Sequence, residues 1–169
     1  MRKTKTMTVA DFPLTQVSEI RLTYHSKVRS ADRPLCCNSE YAYHILSEWW
    51  DPDTIELCEQ FAVMLIDRQQ LCMGIYRVSQ GGTSGTVVDP KLVFGAALKA
   101  RADSIMLAHN HPSGNRYPSS NDRAVTRQLV AAGKLLQLPV TDHLIIVPEG
   151  GYYSFADYGQ LVESDDGYA

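Results

Sequence analysis

The sequence predicts a three-layer α/β domain with a mixed β-sheet flanked by helices, on three observations. Strand-length apolar runs and segments with helical spacing interleave along residues 39–157 instead of collecting in separate halves, the pattern of an α/β layer architecture. The run Gln60–Ile66 is apolar on both faces, which places it inside a sheet and not at its edge. With 44% hydrophobic and 21% charged residues over 169 positions, the chain has enough apolar material for one domain core without staples.

Each element follows from local chemistry. Residues 1–38 read as an N-terminal extension: Met1 to Pro13 is polar and unpatterned, Glu19 to Tyr24 alternates apolar and polar as a half-buried strand does, and His25 to Pro34 is a loop. Ser39 is the expected N-cap of a helix carrying Tyr41, Ala42, Ile45, Leu46 and Trp49, stopped by Asp51-Pro52-Asp53. Gln60–Ile66 and Leu71–Val78 form a hairpin across Asp67-Arg68-Gln69-Gln70. After the Gly-rich connection from Gln80 to Gly85, Asp89-Pro90 caps a helix running to about Ala100, with Leu92, Val93, Ala96, Ala97 and Ala100 inward. Ser104–Ala108 is a buried strand that ends at His109. A helix beginning near Ser119 turns Val125, Leu129, Ala132 and Leu136 to one side, with Gly133 weakening its last turn and Pro139 beyond it. Val140–Val147 and Tyr152–Phe155 complete the sheet, and residues 158–169 are a flexible acidic tail.

Charge and cysteine content narrow the class. A net charge of -3 and a pI of 5.9 leave the chain without the basic footprint of an autonomous nucleic-acid binder. Arg2, Lys3 and Lys5 form the only dense basic cluster and read as a solvated tail. Thr6 to Gln16 contains Asp11 and Pro13 and no sustained apolar run, so a signal peptide is not expected, nothing reaches transmembrane length, and a cytoplasmic location follows as the expectation. Cys36, Cys37, Cys58 and Cys72 include no C-x-x-C pair and are expected as reduced small hydrophobes.

The chemistry concentrates in one stretch. Leu107-Ala108-His109-Asn110-His111-Pro112-Ser113-Gly114 is followed by Pro118-Ser119-Ser120-Asn121-Asp122, where a strand breaks into a loop and re-enters as a helix. Residues two apart on extended chain point the same way, so His109 and His111 can face one ion, and Asp122 sits one turn inside the following helix. Two imidazoles and a carboxylate with an open fourth position are the ligand set of a catalytic zinc. Ser119 and Asp122 also match a helix capping box, which by itself accounts for both. Gly114 is expected at a positive-φ turn, Asn110 on the side of the strand away from the ligands, and His143 as a buried histidine near the site.

This pattern, His109-x-His111, seven residues, Ser119, two residues, Asp122, resembles the JAMM motif of the JAB/MPN metalloproteases. Ala-His-Asn-His-Pro-Ser-Gly with Asp142-His143 downstream resembles the RadC-like branch in particular, and the likeness runs from about Ser39 to Phe155. The resemblance implies a cytidine-deaminase-like α/β fold holding one Zn2+ through His109, His111 and Asp122, with a water as fourth ligand. It implies further that a glutamate at the start of an early strand serves as base. Glu59 falls at the matching place, with Glu56 as competitor, and Ser119 takes the role of stabilising the oxyanion.

The function implied is a zinc-dependent hydrolase of metallopeptidase or isopeptidase type, acting on a peptide or isopeptide substrate of unspecified identity. The alternative is a DNA-repair-associated accessory or nucleic-acid-binding module that retains the zinc site. The acidic charge speaks against it, as does the lack, in residues 1–38, of the helix-hairpin-helix-type segment found in longer RadC-like proteins. Deamination of a nucleobase, suggested by the shared fold, lacks the His-x-Glu and Pro-Cys-x-x-Cys pattern it requires.

Overall fold

A computed structural model describes residue 18 and residues 20–81 and 87–161. The basic start with Met1–Pro13, Glu19, residues 82–86 of the Gly-rich connection and the acidic tail from 162 onward lie outside the described residues. Along the described chain the elements are α1 (Ser39–Trp49), β1 (Gln60–Ile66), β2 (Cys72–Gln80), α2 (Pro90–Ala100), β3 (Ser104–Asn110), α3 (Ser120–Leu135), β4 (Val140–Ile146) and β5 (Tyr152–Ser154).

The strands form one mixed sheet in the order β2-β1-β3-β4-β5. β1 pairs antiparallel with both β2 and β3, β3 runs parallel to β4, and β5 returns antiparallel on β4. A parallel pair needs a crossover, which α3 supplies. All seven residues of β1 are buried, as expected for a strand apolar on both faces.

Alternation along the strands divides the core between two layers of helix. Phe61, Val63, Leu65, Ile105 and Leu107 face α2 and α3, meeting Val93, Phe94, Ala97 and Leu129. Ala62, Met64, Ile66, Met106, Ala108 and Leu144 face α1, meeting Ala42, Leu46 and Trp50. The three-layer α/β architecture is therefore as expected. Cys36, Cys58 and Cys72 are buried, Cys37 is exposed, and all four are free. Among the described residues no helix is long and apolar enough to cross a membrane.

Several local expectations are corrected. Asn38, not Ser39, caps α1: its side chain accepts the Tyr41 amide at 2.9 Å, while the Ser39 hydroxyl turns inward to Ser154 and Asp157. Of the alternating segment Glu19 to Tyr24, the described part from Ile20 onward forms no strand, and Ile20 and Leu22 are exposed. Helix α2 buries Val93, Phe94, Ala97 and Ala100 and leaves Leu92 exposed, because the bulky Phe94 claims the inner face. On α3, Leu129 is buried and Val125 and Ala132 pack against the core as expected, but Leu136 lies exposed beyond the helix end, and Asp122, Thr126, Val130 and Gly133 are buried as well. The buried side of α3 thus carries two polar side chains, Asp122 and Thr126, into the molecule, which apolar periodicity does not anticipate.

Gly133 does more than weaken a turn. A Cβ there would stand 2.6 Å from the Leu138 carbonyl oxygen, so only glycine lets the chain double back against α3 and enter β4 without displacement.

Candidate metal centre

The site lies where β1 begins, β3 ends and α3 starts. Phe61 and His109 are register partners across β1 and β3, so both side chains point to the α3 face. His111 follows the strand end, its amide donating to the Ile146 carbonyl at 2.9 Å. Asp122 stands three residues past the α3 N-cap, which brings its carboxylate under both imidazoles. His109 Nε2 is 3.0 Å from His111 Nε2 and 3.3 Å from Asp122 Oδ1, and His111 Nε2 is 3.5 Å from Asp122 Oδ2. The candidate ligand atoms of all three residues lie within 4.8 Å of one another.

The capping box is formed too. Ser119 Oγ accepts the Asp122 amide at 3.1 Å, and Asp122 Oδ2 accepts the Ser119 amide at 2.6 Å. The two readings of this motif do not compete, because the hydrogen bonds that start the helix also fix the carboxylate in the site. Gly114 has φ +76°, the left-handed region that favours glycine, so the loop after His111 asks for glycine by its conformation.

The donor set fits a divalent cation. The ring nitrogens turned away from the centre have partners: His111 Nδ1 donates to the Asn115 carbonyl at 2.6 Å, and His109 Nδ1 is 2.8 Å from His143 Nε2. The first of these leaves the inward Nε2 of neutral His111 as a lone pair, as a metal ligand must be. Burial alone would raise the Asp122 carboxyl, but hydrogen bonds from the protonated forms of the two imidazoles, with the charge of His109, hold it well below the usual carboxylate range. Burial lowers His111, and the Asp122 carboxylate, the Asn115 carbonyl and Glu59 overcome this to raise it. Positive charge is therefore favoured where the ligands converge. His143, fully buried, is pushed well below the ordinary imidazole value by desolvation and then by the charge of His109.

A cavity of about 440 Å³ opens beside the triad, lined by Glu59, His111, Tyr117, Ser119, Asn121 and Asp122 among others. Glu59 lies two residues ahead of Phe61 and shares its face, and a second recess joins it to His109, Asp122 and His143. Glu56 is exposed and lines neither space. Ser119 Oγ is committed to the Asp122 amide as acceptor, which leaves its hydroxyl hydrogen for the cavity.

A profile of the RadC-like JAB domain matches residues 36–160. The chain belongs to that family. This RadC-like chain is 36% identical to a UPF0758 protein of Symbiobacterium thermophilum over 151 residues, covering 86% of the chain and 62% of that relative. It is 41% identical over 101 residues to a UPF0758 protein of Flavobacterium johnsoniae, covering 60% of the chain and 44% of the relative. With a UPF0758 protein of Salinibacter ruber the identity is 46% over 88 residues, covering 52% and 38%. The RadC-like chain thus spans between 38% and 62% of the length of these relatives.

Two residues at the site are more than the sequence reading made of them. Asn110 is fully buried, and its carboxamide donates to the carbonyls of Ile55 (2.6 Å) and Cys58 (2.9 Å) and accepts the Gln60 amide at 2.7 Å. It therefore grips the segment that carries Glu59 from the far side of the sheet. Thr126 contacts both the Asp122 carbonyl and His143, and its signal was its place one helical turn after Asp122.

Proposed function

We propose that this chain is a zinc-dependent hydrolase that cuts a peptide or isopeptide bond. The observation that carries the reading is the convergence of His109, His111 and Asp122, of which His111 and Asp122 line a cavity that Glu59 and Ser119 also line. His109, His111 and Asp122 would hold the ion. When bound, zinc supplies Lewis acidity, polarising a carbonyl and bringing the pKa of water to about 7.

The chain's own groups then divide the remaining work. Glu59, half-buried at the cavity wall, takes a proton from the attacking water and returns it to the leaving amine. The Ser119 hydroxyl donates toward the oxygen on which negative charge develops as the carbonyl becomes tetrahedral. The Asp122 amide holds the serine oxygen, so this donor is oriented before substrate arrives. The open side of the cavity, edged by Tyr117 and Asn115, admits an extended chain with no pocket closed around it.

Metal analysis and turnover together test the reading. Wild-type protein should hold about one zinc per chain, as a three-ligand catalytic site does. Asp122→Ala should lose it. Glu59→Gln should keep the zinc and lose at least about 10²-fold in hydrolysis of quenched peptide or isopeptide libraries. Wild-type protein that neither retains zinc nor takes it up overturns the proposal, as does a Glu59→Gln variant with unchanged turnover.

A further inference from the structure

We propose that Thr126 and His143 form a hydrogen-bond relay that sets the tautomer of His109, so that the backbone carbonyl of Asp122 decides which nitrogen of His109 carries the proton and leaves Nε2, the one facing the metal position, with a free lone pair. The proposal rests on the metal reading above and extends it to two residues outside the ligand set.

The polarity of the relay follows from its one fixed end. The Asp122 carbonyl can only accept, so Thr126 Oγ1, 2.6 Å away, must spend its single hydrogen there. The same oxygen lies 2.6 Å from His143 Nδ1 and has no hydrogen left, so the proton in that contact belongs to the imidazole. His143 is fully buried, with Phe155 stacked 5.0 Å from its ring and Phe61 edge-on at 5.4 Å. Neither of its nitrogens meets a carboxylate, since its two partners are Thr126 and His109. A charged imidazole is costly in such surroundings, and a neutral one carries only one N–H. With that N–H at Nδ1, His143 Nε2 is an acceptor, and His109 Nδ1 at 2.8 Å must be the donor. Neutral His109 then presents the lone pair of Nε2 toward His111 and Asp122.

Reversing the relay would turn the Thr126 hydrogen toward His143 and leave two buried oxygens, Thr126 Oγ1 and the Asp122 carbonyl, 2.6 Å apart with no hydrogen between them, which is expensive. Phe61, stacked over His109, keeps that ring from turning to escape the choice. Asp122 accordingly acts twice: its side chain is a ligand, and its main chain, through two intermediaries, orients another ligand. Thr126 and His143 are positioning residues and touch no reacting atom.

A pair of substitutions at Thr126 separates this role from packing. Thr126→Val keeps the shape and removes the hydroxyl, and Thr126→Ser keeps the hydroxyl. Zinc affinity by competition with a chromophoric chelator is read alongside the tautomer of His109, from two-bond nitrogen–proton correlations in metal-free, histidine-labelled protein. Wild type should show His109 protonated at Nδ1. Thr126→Val should bind zinc about 10- to 100-fold more weakly, the usual effect of losing a group that orients a ligand, and should populate the Nε2–H form. Thr126→Ser should match wild type in both readouts. A folded Thr126→Val variant with wild-type affinity and an unmixed Nδ1–H His109 overturns the proposal, as does a serine variant as impaired as the valine one. Should the valine variant fail to fold, the wild-type spectrum still decides, because an Nε2–H His109 is incompatible with the relay. Failure of wild-type protein to bind zinc counts against the metal reading, and the tautomer is measured independently of it.

Discussion

The two faces of the sheet are made by alternate residues of the same strands and differ in how they treat polar groups. Under α1, Met64 and Met106 surround the Cys36 thiol, whose sulfur lies 3.1 Å from that of Met64, with Ala42 and Leu46 closing over them. Burial pushes that thiol up to about 12, leaving it an inert, protonated hydrophobe. Under α3 the strands carry His109 and His143, each hydrogen-bonded in turn, and the helix adds Asp122 and Thr126. The α1 face has its own polar anchor at the same end of the sheet, Asn110, and all of its amide hydrogen bonds go to backbone. Three consecutive residues thus split across the sheet: His109 and His111 serve the candidate centre on one face, and Asn110 secures the segment that carries Glu59 from the other. Burial of polar groups is tolerated where each finds a partner, and here that happens where strands end and a helix begins.

The contrast can be broken most forcefully on the apolar side. Leu46→Ala, at a fully buried α1 position, should cost about 2–5 kcal/mol in denaturant unfolding while leaving zinc stoichiometry unchanged. Loss of metal together with stability would show that the two faces are not separable. Next in size, Asn110→Ala strands two carbonyls and an amide and should cost about 1–3 kcal/mol. It should leave zinc affinity near wild type and speed amide exchange across residues 55–60, so equal exchange in the two proteins would remove Asn110 from its anchoring role. The smallest effect is graded by pH. Because His111 is held above the ordinary imidazole value, protons compete with zinc sooner than at a free imidazole. Apparent affinity should start to fall as the pH drops through that raised value, by about tenfold per pH unit for each proton displaced. In the metal-free protein the sign reverses: the His111 proton stabilises the fold below the ordinary imidazole value, and this contribution is lost as the pH rises through the raised one. A zinc affinity flat across this range would contradict both statements.

Much of this was legible in the order of residues. The β1 run, the Asp89-Pro90 start of α2 and the strand ending at His109 follow from periodicity and capping chemistry, and the His-x-His spacing with Asp122 marks the centre. What escaped was decided by tertiary contacts. Asn38 and Ser39 are equally good caps in isolation, and only the approach of β5, with Ser154 and Asp157 for the serine hydroxyl, assigns them. Apolar spacing marks Val125, Leu129 and Ala132 of α3, which do pack on the core, but it gives no sign of Asp122 and Thr126, which the helix buries beside His109 and His143. Asn110 looked like a loop-shaping residue, since its partners lie some fifty positions away in sequence.

The capping box at the start of α3 has a consequence for how the chain would meet a change in metal supply. The hydrogen bonds between Ser119 and Asp122 hold the carboxylate in place with protein atoms alone. If the chain binds zinc as proposed, its metal-free form would already hold the Asp122 carboxylate where the ion needs it. Capture of the ion would then ask for no rearrangement at the start of α3.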